Sequence, residues 1–259
     1  MKLFFLLRSY FQFLIYSGNE HSIHSPFVFD LYTKAIRARQ NFYPYAPIEL
    51  LRSKMLSCTD VINVADFGTG TQKNSSRAIN DITKKSLKNP RLGQLLFQLV
   101  HYFQPSHIID LGTSLGITTM YLASAKTTAK VTSFEGCANI ASYAQANFKK
   151  KGLKNIDLIV GNIDSTLRPT LENIPQVDFV FFDANHTYEA TLLYFQLCLQ
   201  KATTESVFVF DDIHWSPAME AAWQDIKAHD QVTLSIDLFH VGITFLRTNQ
   251  PKQHFILRI

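Results

Sequence analysis

The stretch from Ser106 to Gly136, SHIIDLGTSLGITTMYLASAKTTAKVTSFEG, constrains the fold of this chain more than any other. His107–Leu111 is a short apolar run that contains one acid, Asp110. Gly112-Thr113-Ser114-Leu115-Gly116 follows as a turn, and Ile117–Ala125 has helical spacing. Val131-Thr132-Ser133-Phe134 is a second strand-like run, closed by Glu135. Strand, glycine turn, crossover helix and strand make the repeating unit of a parallel sheet. Such sheets take their ligands at the C-terminal ends of the strands.

The alternation continues to the end of the chain. Further strands are predicted at Ile156–Val160, Val177–Asp183 and Ser206–Asp211. Helices are predicted at Ser114–Ala125, Ala138–Lys151, Asp164–Glu172, Thr187–Lys201 and Trp215–Ala228. Near-continuous apolar runs such as DFVFF and SVFVF belong in a parallel sheet covered on both faces. Val232–Leu238 and Val241–Arg247 are separated by a short turn and read as antiparallel partners. His254–Ile259 offers another edge strand or a docked tail. Before the first strand, Arg91–Phe103 has one apolar side and stops ahead of Pro105. The expected fold is α/β: a doubly wound, seven-stranded, mostly parallel sheet with an antiparallel last strand and a helical N-terminal extension.

Glycines in the first turn let a ligand approach the backbone, and the helix that follows offers unpaired N–H groups. Glu135, 25 residues after Asp110, is spaced to accept hydrogen bonds from ribose hydroxyls. A dinucleotide fits less well, because the glycines are spaced G-x-x-x-G and the third glycine of that fingerprint is absent. Asp110 stands two residues before the first glycine. An anion there repels a pyrophosphate and suits a cation, and S-adenosylmethionine carries a sulfonium and an ammonium group. D-x-G-x-S-x-G with an acid closing the next strand resembles motif I of the class I S-adenosylmethionine-dependent methyltransferases. The resemblance covers about residues 91–247. It implies that Asp110, Gly112, Thr113, Ser114, Gly116, Glu135 and Gly136 hold the cofactor. It also implies that Asn162, Ile163 and Asp164 edge its adenine and that Asp183 lies beside it. Residues 91–259 would then form the cofactor-binding methyltransferase domain, and residues 1–90 a helical cap for substrate or for dimerisation.

Acids recur at the predicted strand ends, at Asp110, Glu135, Asp164, Asp183 and Asp211-Asp212. Asp183 in FFDANHTYE and the pair in FDDIHW resemble the small-molecule O-methyltransferases of the catechol type, and the sugar and macrolide enzymes whose fifth strand ends in D-D. In those families the matching carboxylates can hold Mg²⁺, so Asp183, Asp211 and Asp212 are candidate metal ligands. Carboxylates suit hard cations, and such a metal lowers a hydroxyl's pKa. The catechol type has Asp-Asn where Asp211-Asp212 stands, and it lacks His186 and His214. Without a metal, His186 is the natural general base, with Asp183 and His214 as further catalytic candidates. HSIHSPF near the start, the early DFGTG and DDIHWSP are similar to methyltransferases of Bacteroidetes type. The acceptor is expected to be a small molecule.

The flanking chain leaves alternatives open. DFGTG at 66–70 copies the glycine motif but leads into no apolar strand ending in an acid, so Gly68 and Gly70 are read as shaping a loop. Net charge is +4, divided into +7 over residues 1–104 (13 basic, 6 acidic) and −3 over the rest (12 basic, 15 acidic). Lys73, Arg77, Lys84, Lys85, Lys88 and Arg91 crowd one stretch. This gives an RNA or other polyanion methyltransferase as an alternative, though no base-stacking series of aromatics accompanies it. A non-catalytic cofactor-binding protein is the other. His21 and His24, beside Ser25 as a helix cap, reach a site or stay at the surface. Residues 1–18 are strongly apolar but interrupted by Arg8 and too short to span a bilayer. They read as a helix packed on the body or on a second subunit, or lying on a membrane. Cys58, Cys137 and Cys198 are scattered, with no zinc spacing, which suggests a reducing, cytoplasmic setting.

Overall fold

The computed structural model describes residues 2–66, 73–86, 88–248 and 251–259. In chain order it begins with helices α1 (Lys2–Tyr16), α2 (Pro26–Leu31, continuing as a π-helical turn to Ile36) and α3 (Tyr45–Leu56). Strands β1 (Val61–Asp66) and β2 (Lys73–Ala78) follow, then helices α4 (Ile79–Ser86) and α5 (Pro90–Phe103). The alternation is β3 (His107–Leu111), α6 (Ile117–Ala125), β4 (Lys130–Glu135), α7 (Ala138–Lys150), β5 (Ile156–Val160) and α8 (Ile163–Glu172). It goes on with β6 (Val177–Phe182), α9 (Tyr188–Leu199), β7 (Ala202–Asp211) and α10 (Pro217–Ala228). The chain closes with β8 (Leu234–Asp237), β9 (Val241–Phe245) and β10 (Gln253–Ile256). Two compact units divide it: residues 34–166, and the N-terminal 33 residues with residues 167–259.

In the 34–166 unit, β4 lies between β3 and β5, all parallel, with Leu111 opposite Phe134 and Glu135 opposite Val160. β3 and β4 are almost wholly buried, whereas β5 is half-covered. Tyr45, Ile48, Phe97, Met120, Tyr121 and Phe148 share one core cluster beneath the helices. α5 starts at Asn89, whose side chain accepts from the Arg91 N–H, with Pro90 in the first turn. It ends on Gln104 in the left-handed region.

Two local readings change. α6 begins at Ile117 and not at Ser114, because Ser114 (φ 47°) and Gly116 (φ 88°) hold the chain left-handed through the turn. The stretch after the early glycine motif is in part a strand: β1 and β2 pair antiparallel, Val61 opposite Ala78. β2, KNSSRA, has neither β-branched residues nor apolar alternation, so only its pairing reveals it. Gly68 and Gly70 themselves lie outside the described residues.

In the other unit β6 and β7 are parallel, and β9 runs antiparallel to both β7 and β8. Phe182 stacks on Phe210 at 4.3 Å across the β6–β7 pair, inside a buried aromatic core. β9 carries Gly242 where a Cβ would stand 2.6 Å from the Trp223 ring, so the glycine lets α10 close on the sheet. β10 adds a further edge strand, parallel to β8. The result is the expected α/β, mostly parallel arrangement with an antiparallel strand near one edge. The tail continues past β10 into a parallel bridge between Leu257 and Gly18.

Candidate functional site

The turn after β3 is built around Asp110. Its carboxylate is fully buried and accepts from Thr119 Oγ1 of α6 (2.6 Å) and Ser133 Oγ of β4 (2.7 Å). Thr113 shares the hydroxyl network through Ser133. Buried carboxylates are held by hydrogen bonds of this kind. Asp110 therefore fastens the turn to both neighbouring elements. The N–H groups of Gly112 and Thr113 donate to the Phe134 carbonyl, and Gly112 has φ 114°. At Gly116 close packing adds a second constraint, since a Cβ there would stand 2.5 Å from the Phe148 ring.

Glu135, at the end of β4, is half-buried and braced on both oxygens. Ser114 N donates to Oε2 (2.8 Å) and Cys137 N to Oε1 (2.9 Å). Each carboxylate oxygen can accept more than one hydrogen bond, so these contacts fix the group without exhausting it. Gly136 follows, half-buried. A cleft of about 460 Å³ opens beside Cys137, lined by Asn63, Ser75, Ser76 and Asn139 among others. At the end of β5, Gly161 (φ 138°) donates its N–H to the Glu135 carbonyl. Asn162 caps α8, accepting from Asp164 N; Ile163 is buried and Asp164 exposed. These residues stand together within the 34–166 unit as one acid-bearing strand-end set.

The second set lies in the other unit. Asp183, just past β6, has Oδ1 3.3 Å from His186 Nε2. Asn185 (φ 61°) and His186 (φ 35°) are both left-handed, and Asn185 Nδ2 donates to Tyr194. Thr187 caps α9, accepting from Ala190 N. Strained non-glycine backbone of this sort persists where the surroundings over-determine it, and it clusters at functional positions. Asp211 ends β7 buried, and Asp212 (φ 55°) donates its N–H to the His240 carbonyl. His214 is committed to β8: its Nε2 is 2.9 Å from Asp237 Oδ2, and its ring stacks on Phe239. Asp237 also accepts from Trp223 Nε1 (3.2 Å) and Phe239 N (2.8 Å). Burial alone raises the pKa of Asp237, but His214 and the Phe239 N–H outweigh it and hold the group below the ordinary carboxylate range.

Among the described residues no three or more His, Cys, Asp or Glu side chains are grouped to hold an ion. His21 and His24 are exposed, while Ser25 caps α2. Thr119, Ser133 and Asp237 were not singled out by the sequence. Thr119 and Ser133 lie 9 and 23 residues from Asp110, and Asp237 lies 23 from His214, so no local pattern announces them. Ser86 joins them through a 2.9 Å contact with the Ser114 hydroxyl.

Residues 109–213 match a family model described as a methyltransferase domain. No curated protein matches the chain. Among solved structures it is similar to an O-methyltransferase from Bacillus cereus in complex with S-adenosylhomocysteine. That likeness has TM-score 0.56 and 16% identity, covering 84% of this chain and 97% of that one. It is similar to an S-adenosylhomocysteine-bound methyltransferase of Podospora anserina, with TM-score 0.56, 13% identity and coverage of 81% and 99%. An O-methyltransferase from Streptomyces achromogenes involved in tomaymycin synthesis, solved with S-adenosylmethionine, gives TM-score 0.55, 18% identity and coverage of 62% and 82%. At these identities the likeness is one of fold.

Proposed function

We infer that the chain, whose residues 109–213 match a family model described as a methyltransferase domain, is a class I S-adenosylmethionine-dependent methyltransferase that methylates a hydroxyl of a small molecule. The observation that carries this reading is Glu135, a carboxylate at a parallel strand end braced by two backbone N–H groups beside the turn that Asp110 fastens. That arrangement suits a ribose, with the glycine turn against the amino-acid end of the cofactor and Asn162, Ile163 and Asp164 at the edge of its base. When bound, the cofactor supplies an electrophilic methyl group on sulfur.

The chain's own part is to orient the acceptor and take its proton. Glu135 and the Gly112–Gly116 turn would hold S-adenosylmethionine, which would give its methyl group to the acceptor oxygen and leave as S-adenosylhomocysteine. Alignment and exclusion of water supply most of the acceleration in such a displacement. Asp183 faces His186 Nε2, so a hydrogen there leaves Nδ1 as the basic atom. His186 is thus the proton acceptor and Asp183 its orienting partner. His214, tied to Asp237, is a positioning residue for the Asp212 turn. Residues 1–90 select the acceptor in this reading, and the three free cysteines fit a reducing cytoplasm.

The test is release of S-adenosylhomocysteine from S-adenosylmethionine in the presence of a panel of phenols and sugar alcohols. His186→Ala is expected to lower kcat by roughly 10²-fold or more while leaving cofactor binding intact. Turnover with the panel that is unchanged in His186→Ala would remove the base assignment. Methylation confined to amines or thiols would remove the hydroxyl.

A further inference from the structure

The described part of α1 presents two faces. Ser9 is buried and donates to Glu220 Oε2 (3.2 Å), and the Tyr10 and Phe13 rings lie 4.9 and 5.4 Å from that of Phe239. Just beyond the helix, Gly18 bridges Leu257, and Arg258 donates to the Ser17 carbonyl. α1 is therefore fixed on its own unit along one side and at its end. The opposite side carries Leu3, Phe4, Leu7, Phe11, Leu14 and Ile15, each 37–75% exposed. At 100° per residue these six fall within an arc of about 120°. Together they expose on the order of 600–700 Å² of apolar surface, at or above the largest patch usual on a monomer.

We propose that this outward stripe docks on a lipid bilayer bearing anionic headgroups. The helix has the form of an interfacial anchor: an apolar stripe of Leu, Phe and Ile lying flat, with a cation at its edge. Arg8, exposed, flanks the stripe, and no acid precedes Glu20, so nothing on the helix opposes an anionic surface. The helix, of 15 residues, lies along the bilayer: no described helix is long and apolar enough to cross one. A second copy fits less well. Two stripes packed antiparallel about a two-fold bring the Arg8 edge of one against the same edge of the other, setting like charges together near mid-helix. The docked helix is also joined to the histidine set, since Glu220, which holds Ser9, lies 3.7 Å from His214 Nδ1. A bilayer-dissolved hydroxyl compound is then the acceptor class. That consequence rests on the methyltransferase reading, whereas the docking does not.

The test is sedimentation of the full chain with vesicles of phosphatidylcholine, alone or with about a quarter phosphatidylglycerol. The wild-type chain is expected on the anionic vesicles and to leave them as salt is added. Leu7→Glu combined with Phe11→Glu, both at exposed positions, is expected to lower the partition by roughly tenfold or more. Arg8→Gln is expected to lower it on the anionic vesicles alone. Calorimetry with S-adenosylhomocysteine on the same variants separates the two readings: unchanged cofactor binding makes the lost docking local to α1. Failure of the wild-type chain to bind either vesicle overturns the proposal. So does a dimer in light scattering that Phe11→Glu converts to a monomer, which gives the stripe to a second copy.

Discussion

Asp110 and Glu135 are both carboxylates at strand ends, but their surroundings divide their work. Asp110 is sealed among hydroxyls, and Glu135 is half-open with its two oxygens braced. Glu135→Ala should weaken S-adenosylhomocysteine binding by ~1–3 kcal/mol, the size of a lost hydrogen bond to a charged group, with little change in Tm. Asp110→Ala should weaken it similarly and also lower stability, since Thr119 and Ser133 lose their acceptor. Calorimetry and a thermal scan on each variant separate the two effects. Asp237→Ala should cost about 2–4 kcal/mol in urea unfolding, because it strips partners from the Trp223 indole and the Phe239 N–H at once. Glu135 and Asp110 were legible in the sequence because strand ends are local features. The Asp237–His214 pair was not, because it is made by a turn after β7 meeting a different strand.

At the scale of elements, parallel strands β3 to β6 were read to within a residue, since each is a mainly apolar run bounded by turns, whereas β7 starts at Ala202, four residues before the apolar run that was read as its beginning. What escaped was set by backbone conformation and by pairing. The start of α6 depends on Ser114 and Gly116 being left-handed, and β2 exists only because β1 is beside it. Residues 1–18 read as a helix packed on the body, on a second subunit or on a membrane; in the fold Ser9 faces the body and an apolar stripe faces out. Contacts decide this, not periodicity. Gly116→Ala tests the turn directly. It combines a positive φ with a Cβ 2.5 Å from Phe148, so stability should fall by roughly 1–3 kcal/mol in urea unfolding.

For the molecule as a whole, acid should be the weak side. His254 is exposed on β10, yet loss of water around its ring, then the neighbouring Lys227 ammonium, push its imidazole down to about 4. The unfolded chain takes up that proton from about pH 6.5, the folded chain only near pH 4. Stability therefore falls as pH drops through that window. Asp237, held low, keeps its contribution above the ordinary carboxylate pKa and loses it as pH falls below. Thermal scans from pH 7 to pH 4 should show Tm falling, and His254→Gln should flatten the upper part of that fall. A Tm unaffected by this substitution across the window would remove His254 from the account.

Ligand binding bears on the same folded state. Saturation with a cofactor at about a hundred times its Kd adds ~2.7 kcal/mol to stability. The central claim, that the turn after β3 and the acid closing β4 hold S-adenosylmethionine, is tested most directly by calorimetric titration of the wild-type chain with S-adenosylhomocysteine, alongside Asp110→Ala and Glu135→Ala. The account predicts binding at one site per chain, weakened in both variants. No binding by the wild-type chain, or an affinity that neither substitution changes, would contradict it.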